Sequence, residues 1–496
     1  MRIRGRVRWL HPIEGEGSGQ RWKVSVNVRS MMQLHMVDRP RAGGWFWLAL
    51  ALGFALRLAF ILHTPRIAGD TLVYGNIAKN WMEHGIYGFA EGPSGPIPTL
   101  IRLPGYPLFL ALCFRIFGDD RYTAVMLVQC ILDLGTCVLL SSLARRIFGQ
   151  RAAVVVLWLA ALCPFTANYV AAPLTETLTL ACIALAFYGL ERWQRCARVW
   201  NLWLWLVAAV LAYSVLLRPE QGLLAAAVLP EMLWLRRRSG TSITGALAPI
   251  AAAALCVILP LAPWAVRNWR TFHVLQPLAP RYATDPGELV PLGFQRWFRS
   301  WAVEFASTES VYWNLDSATI NINDVPARAF DNPSQYSRAA ALLSQHNETF
   351  TATPEMDAGF AALARERVAN HPFRYYVALP IARLLNMALR PRVEMMSIDL
   401  RWWQWSRHKR QTLFAALYAL LNLAYFVAGL WGLMRWRRHG WNGYAALGWS
   451  MVAFLVLRSV MLLTLDNSEP RYTLEFFPLL LVWAGALFQT PARVSR

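Results

Sequence analysis

Ten separate stretches of this chain read as membrane crossings, and that repetition restricts the fold more than any single motif does. They run over residues 44–63, 122–144, 152–171, 174–190, 201–217, 221–235, 246–264, 411–433, 442–463 and 473–490. A hydrocarbon core about 30 Å thick takes about 20 residues of helix to cross, and a helix satisfies its own backbone groups there. A soluble domain has no use for so many such runs. With 56% of its 496 residues hydrophobic and 24 tryptophans, the chain is expected to be an all-α integral membrane protein. Two shorter apolar pieces, 105–117 and 373–389, are expected as interfacial or re-entrant helices on the outer side. Counting both as crossings keeps the same ends inside and outside, so the expectation is ten to twelve transmembrane helices.

Charge orients the spans. The formal balance of +20 would suggest nucleic acid in a soluble chain, but the arginines gather at span ends: Arg145, Arg146 and Arg151, Arg192, Arg195 and Arg198, Arg236–Arg238, and Arg435, Arg437 and Arg438. Such clusters mark cytoplasmic linkers. No P-loop, zinc spacing or aromatic-basic RNA motif accompanies them. The seven cysteines lie mostly in apolar runs without paired spacing and are expected to be small buried hydrophobes. Residues 1–43 are basic and too polar for a signal peptide, and are expected to form a cytosolic tail. The organisation expected is this tail, a transmembrane module over 44–264 with a first outer loop at 65–121, an outer segment over 265–410, and a second transmembrane module over 411–496. Within the outer segment, NPSQYSRAAALLSQHN and DAGFAALARERVANHPFRYY both carry helical periodicity.

This topology sends Asp70, Glu176, Arg218, Arg267 and Arg471 to one face, opposite the arginine-rich linkers. Arg102, Glu220 and Glu469 join them, with Tyr74, Lys79 and Tyr106 in the first loop. Guanidinium groups grip phosphate oxygens through paired hydrogen bonds, and a neighbouring carboxylate can take the proton of an attacking group. Each residue also has a plainer reading. Asp70 and Glu176 could cap helices, Arg102 could snorkel, and Arg218 could pair with Glu220 in a hairpin. No compact carboxylate or histidine cluster specifies a metal, and a divalent cation such as Mg or Mn is left open.

Read in order, GDTLVYGN with Asp70 and Tyr74, RLPGYPLF, PLTET, LLRPE, PWAVRN and EPRY form a set. The set resembles the membrane glycosyltransferases of the GT-C superfamily, related to dolichyl-phosphate-mannose protein mannosyltransferases and to bacterial aminoarabinose transferases that modify lipid A. The likeness covers most of 44–490, leaving out the loop 285–360. It implies a GT-C-like fold and an inverting transfer of a monosaccharide from a polyprenyl phosphate. The acceptor would be a cell-envelope glycan, lipopolysaccharide, lipid A or a protein, on the outer face of a bacterial inner membrane. It also implies Asp70 as base, Arg267 and Arg471 on the donor phosphate with Arg218 and Arg102 beside them, and Glu176, Glu220 and Glu469 contacting the acceptor or a metal ion. The protein mannosyltransferases carry an adjacent acidic pair in the first loop. Here Thr71 follows Asp70, which counts against a protein acceptor. A transporter would show broken midplane helices and inverted repeats, which are not evident. A polymerase or ligase acting on lipid pyrophosphates would want the same arginines and base.

Overall fold

The structure, a computed structural model, describes residues 43–90, 95–196, 198–315 and 317–489; of the expected cytosolic tail only Gly43 lies among the described residues. All ten apolar stretches are helical. The first half runs α1 (Gly44–His63), α2 (Asp70–His84), α3 (Gly105–Phe117), α4 (Tyr122–Phe148), α5 (Gln150–Ala161), α6 (Pro164–Tyr169), α7 (Glu176–Gln194), α8 (Leu202–Leu217), α9 (Gly222–Arg238), α10 (Ile243–Ile258) and α11 (Leu261–Phe272). The second half runs α12 (Leu292–Arg299), α13 (Pro333–Thr349), α14 (Pro354–Asn370), α15 (Leu379–Leu389), α16 (Lys409–Arg438), α17 (Ala445–Leu463) and α18 (Phe477–Gly485). Proline divides some stretches. The one at 152–171 breaks before Pro164 and the one at 246–264 breaks at Pro260, because proline suits a helix start and not an interior. The last span opens as a 3-10 helix, Pro470–Phe476.

Among the described residues six helical segments are long and apolar enough to cross a membrane: α1, α4, Ile243–Phe272, α16, α17 and Pro470–Phe488, while α3, α5 and α8 are apolar but shorter. The chain is a multi-pass, all-α membrane protein. Its last span is 78% buried over its most apolar window, whereas α1 and α16 are 22% buried. The last span is therefore central and the other two face lipid, as the exposed Leu413, Leu417 and Leu420 of α16 illustrate. Helix α3 buries Tyr106, Leu110 and Phe114 and exposes Leu108, Leu112 and Ile116. Helix α15 likewise turns Ile381 and Leu385 outward. Both are helices shorter than a span with apolar outer faces.

Arg57 ties the first spans together. Its Nε donates to Asp133 Oδ2 at 2.7 Å, and its Nη1 to the carbonyls of Gly53 at 2.8 Å and Ala161 at 2.7 Å. The outer segment has a core of its own, with Phe294, Trp297 and Trp301 packed against Leu343, Phe360 and Leu363. Helices α13 and α14 form where the periodicity places them. Asn332 caps the first by accepting from the Gln335 amide, Thr353 caps the second by accepting from the Met356 amide, and proline occupies each first turn. The seven cysteines are free and none is exposed.

The linker arginines gather at one end of the bundle. Arg146 and Arg195 flank Glu191 at 3.3 Å and 2.6 Å near the end of α7. Glu176 begins the same helix, ~22 Å from Glu191 at 1.5 Å per residue.

Candidate active site

Gly69 adopts φ of +54°, a conformation that favours glycine, and so turns the chain to make Asp70 the first residue of α2. Asp70 does not cap the helix. Its Oδ1 accepts from Arg102 Nη2 at 2.7 Å and its Oδ2 from Arg471 Nη2 at 2.9 Å. Burial acts to raise its pKa, but the guanidiniums of Arg471 and Arg102 outweigh burial and hold the carboxyl well below the usual range. A helix N-terminus favours the same ionised form.

RLPGYPLF delivers Arg102. A Cβ on Gly105 would lie 2.5 Å from the Leu216 backbone, so glycine lets the start of α3 press on the end of α8 just ahead of Arg218. Tyr106 donates to Gln129 Oε1 at 2.8 Å, and its ring meets Tyr74 edge-on with centroids 5.0 Å apart. The Arg102 guanidinium lies 5.7 Å from the centre of the Tyr74 ring. The two tyrosines thus floor the site.

From Asp70 the charges alternate inward. Arg471 Nε lies 2.5 Å from Glu469 Oε1 and 3.8 Å from Glu176 Oε1. Glu176 stands at the start of α7, uses neither oxygen as a cap, and accepts from Arg218 Nη2 at 2.5 Å. Arg218 Nε donates to Thr175 Oγ1 at 2.6 Å. Glu475 lies 3.6 Å from Arg218, accepts from Arg458 Nη2 at 2.8 Å and from Gln221 Nε2 at 2.7 Å. Glu220 sits 4.0 Å from Arg218 and 3.6 Å from Arg458, so it is shared between them and does not close a private hairpin pair. Burial pushes the Glu469 carboxyl above its usual range in spite of Arg471 beside it.

Arg458, Glu475 and Gln221 are absent from the sequence reading. A lone arginine inside the apolar run of α17 and a lone glutamate inside the last span were the available signal, since ionisable residues within spans face protein or cavities and mark function. Several buried atoms of this network have no hydrogen-bond partner: Glu176 Oε2, Glu469 Oε2, Gln221 Oε1, Arg218 Nη1 and Arg458 Nη1. The two guanidinium nitrogens face carboxylates at 3.6 Å, so it is the acceptors Glu176 Oε2, Glu469 Oε2 and Gln221 Oε1 that lie open within one charged cluster. A ligand bearing hydroxyls would satisfy them, and an anionic group would compete with the carboxylates for the guanidiniums.

Two expected participants stand elsewhere. Arg267 donates to the carbonyls of Thr99 at 2.7 Å and Tyr87 at 2.6 Å, and its guanidinium lies against the rings of Tyr87, Trp264 and Phe272. It braces the first loop, where Gly88–Phe89 pairs with Ile97–Pro98. Lys79 pairs with Asp120 at 2.8 Å. Asp120 also lines a cleft of about 490 Å³ with Ile67, Phe117, Arg121, Tyr122 and Leu127. Among the described residues no three His, Cys, Asp or Glu side chains converge as metal ligands, so the Mg or Mn left open by the sequence has no evident ligand set. The carboxylates of the chamber meet guanidiniums instead.

Residues 98–264, about a third of the chain, match the family model described as dolichyl-phosphate-mannose-protein mannosyltransferase. The match contains RLPGYPLF, PLTET and LLRPE, and the GT-C resemblance is borne out there. No characterised protein sequence matches the chain. Among solved structures, ArnT from Cupriavidus metallidurans bound to undecaprenyl phosphate is similar at 15% identity and a TM-score of 0.40, over 90% of this chain and 78% of that one. The Archaeoglobus fulgidus oligosaccharyltransferase tethered to an acceptor peptide is similar at 12% identity and a TM-score of 0.47, over 89% of this chain. This chain spans 49% of that enzyme's length.

Proposed function

We propose, for a multi-pass chain that carries the mannosyltransferase-family match over 98–264, an inverting glycosyl transfer from a polyprenyl-phosphate sugar to a cell-envelope acceptor. One observation carries this reading: Asp70 is held between Arg102 and Arg471 in a network of charges whose buried acceptors Glu176 Oε2, Glu469 Oε2 and Gln221 Oε1 stand open. The distance of this network from the arginine-rich linkers supports the reading that the reaction takes place on the outside of a bacterial inner membrane.

In the resting chain the nearby carboxylates occupy the arginines. A donor phosphate entering the chamber competes for Arg471 and Arg218 and takes their guanidinium hydrogen bonds. That exchange withdraws Arg471 from Asp70, which then regains basicity where an acceptor hydroxyl must lose its proton. The acceptor oxygen attacks the anomeric carbon, the bond from that carbon to the phosphate oxygen breaks, and its electron pair stays on the phosphate. Asp70 receives the proton, and the arginines stabilise the departing charge. Glu176 and Glu469, each with an open oxygen, are placed to accept hydroxyls of either sugar. The cleft lined by Phe117 and Leu127 suits an apolar prenyl chain.

The test is mass spectrometry of lipids retained by the detergent-purified chain, wild type against Arg471→Ala. A polyprenyl-phosphate monosaccharide enriched on wild type alone supports the reading. A retained lipid-pyrophosphate oligosaccharide replaces it with a polymerase or ligase.

A further inference from the structure

Between α15 and α16 lies a buried segment, RPRVEMM, that no motif singled out and the proposed chemistry does not use. Arg392 is 2% exposed, and among the described residues no carboxylate lies within ion-pair distance of it. Burying a guanidinium without such a partner costs several kcal/mol, so what it contacts is informative. Its Nη1 donates to the Pro470 carbonyl at 2.8 Å and its Nη2 to Thr473 Oγ1 at 2.5 Å, with the Phe477 ring beside it at 5.1 Å. These two contacts clamp the first turn of the 3-10 helix from which Arg471 projects.

Two residues on, Glu394 extends the hold to two other elements. Its carbonyl accepts from Arg66 Nη1 at 2.6 Å, four residues ahead of Asp70. Its Oε1 accepts from the Tyr169 hydroxyl at 2.8 Å, at the end of α6 on the approach to Glu176. The Arg66 amide also donates to the Ala171 carbonyl at 2.9 Å, closing the triangle.

Resting on the glycosyl-transfer reading, we infer that Arg392 and Glu394 form a three-armed brace that sets Asp70, Arg471 and Glu176 at their working separations. Arg392 touches none of these three side chains and is a positioning residue. Misplacement of reacting groups by about 1 Å can cost about 10²-fold in rate, so a brace outside the chamber governs what happens inside it.

The test uses the full chain in detergent, with undecaprenyl phosphate as the binding probe and amide hydrogen exchange as the structural readout. Arg392→Gln is expected to bind the probe at least ~10-fold more weakly and to exchange faster at 470–476 and 64–72, while α4 keeps wild-type protection. Arg392→Lys, which keeps a donor and the charge, should recover most of both effects. Wild-type exchange at 470–476 in Arg392→Gln overturns the inference, as does loosening that extends equally into α4. Should Arg392→Gln fail to fold, Arg66→Gln decides, because Arg66 is exposed and severs one arm alone. It should loosen 64–72 and weaken the probe, and wild-type behaviour overturns the brace. If wild type itself does not bind undecaprenyl phosphate, the glycosyl-transfer reading fails while the exchange pattern still decides the brace.

Discussion

Two buried charge sites in this molecule use the same chemistry to opposite ends. At Arg57 and Asp133, one guanidinium meets one carboxylate and fills its remaining donors with the Gly53 and Ala161 carbonyls and the Cys137 sulfur. At Asp70 and Arg471 the pairing runs on through Glu176, Arg218, Glu475 and Arg458, and leaves oxygens of Glu176, Glu469 and Gln221 open along the way. The first site is complete and pins helices. The second is left incomplete, and that difference, more than burial or charge, is what the proposed reaction draws on.

The largest effect should fall on the closed pair. Asp133→Leu strands a buried guanidinium and is expected to destabilise the chain by ~3–5 kcal/mol, read from denaturant midpoints in detergent. Adding Arg57→Met should regain most of that loss, and failure to do so would show that the pair does more than pin helices. Next comes Asp70→Asn, expected to lower sugar transfer by at least ~10²-fold while the chain still folds. Because the substitution frees Arg471 from a competing carboxylate, binding of undecaprenyl phosphate should hold or tighten; weaker binding would contradict the competition. Arg471→Gln should weaken that binding by ~10-fold, whereas unchanged affinity would remove the phosphate from Arg471.

The pH dependence has opposite signs within the chamber. Asp70, with its folded pKa lowered, contributes stability above its unfolded value near 4 and loses it as pH falls towards the folded value. Glu469, with its folded pKa raised, favours the folded state at low pH and gives up that contribution as pH rises from about 4.3 through its folded value. Thermal scans from pH 4.5 upward should therefore show stability falling across the Glu469 transition, and Glu469→Gln should flatten the fall. A steeper slope in the variant would reverse the assignment. Smallest of all, Lys79→Ala removes an exposed pair with Asp120 and should shift stability by less than ~1 kcal/mol, with probe binding intact.

Much of the fold was legible because hydrophobic length is a local property. The ten apolar stretches and the periodic α13 and α14 are all helical where the sequence places them. The breaks at Pro164 and Pro260 were visible as prolines but needed the packing to decide between a kink and a new helix. For the site, the sequence supplied residue types and a shared face, and Asp70, Arg102, Glu176, Arg218, Glu220, Glu469 and Arg471 do converge. It could not tell Arg471 from Arg267, since each follows a proline-bearing corner near a span end. Only the three-dimensional course of the first loop gives Arg267 the carbonyls of Thr99 and Tyr87. Arg392 was illegible for a different reason, because its partners are a backbone carbonyl and a hydroxyl 78 and 81 residues away.

The most enclosed span is also the last one described, and it brings Arg471 and Glu475 with it. During biosynthesis the earlier spans would hold Asp70, Glu176, Arg218 and Arg458 in place without the two charges that join them. On the proposed chemistry, the charge network would lack both its phosphate-gripping Arg471 and its bridging Glu475 until that span packs against the others.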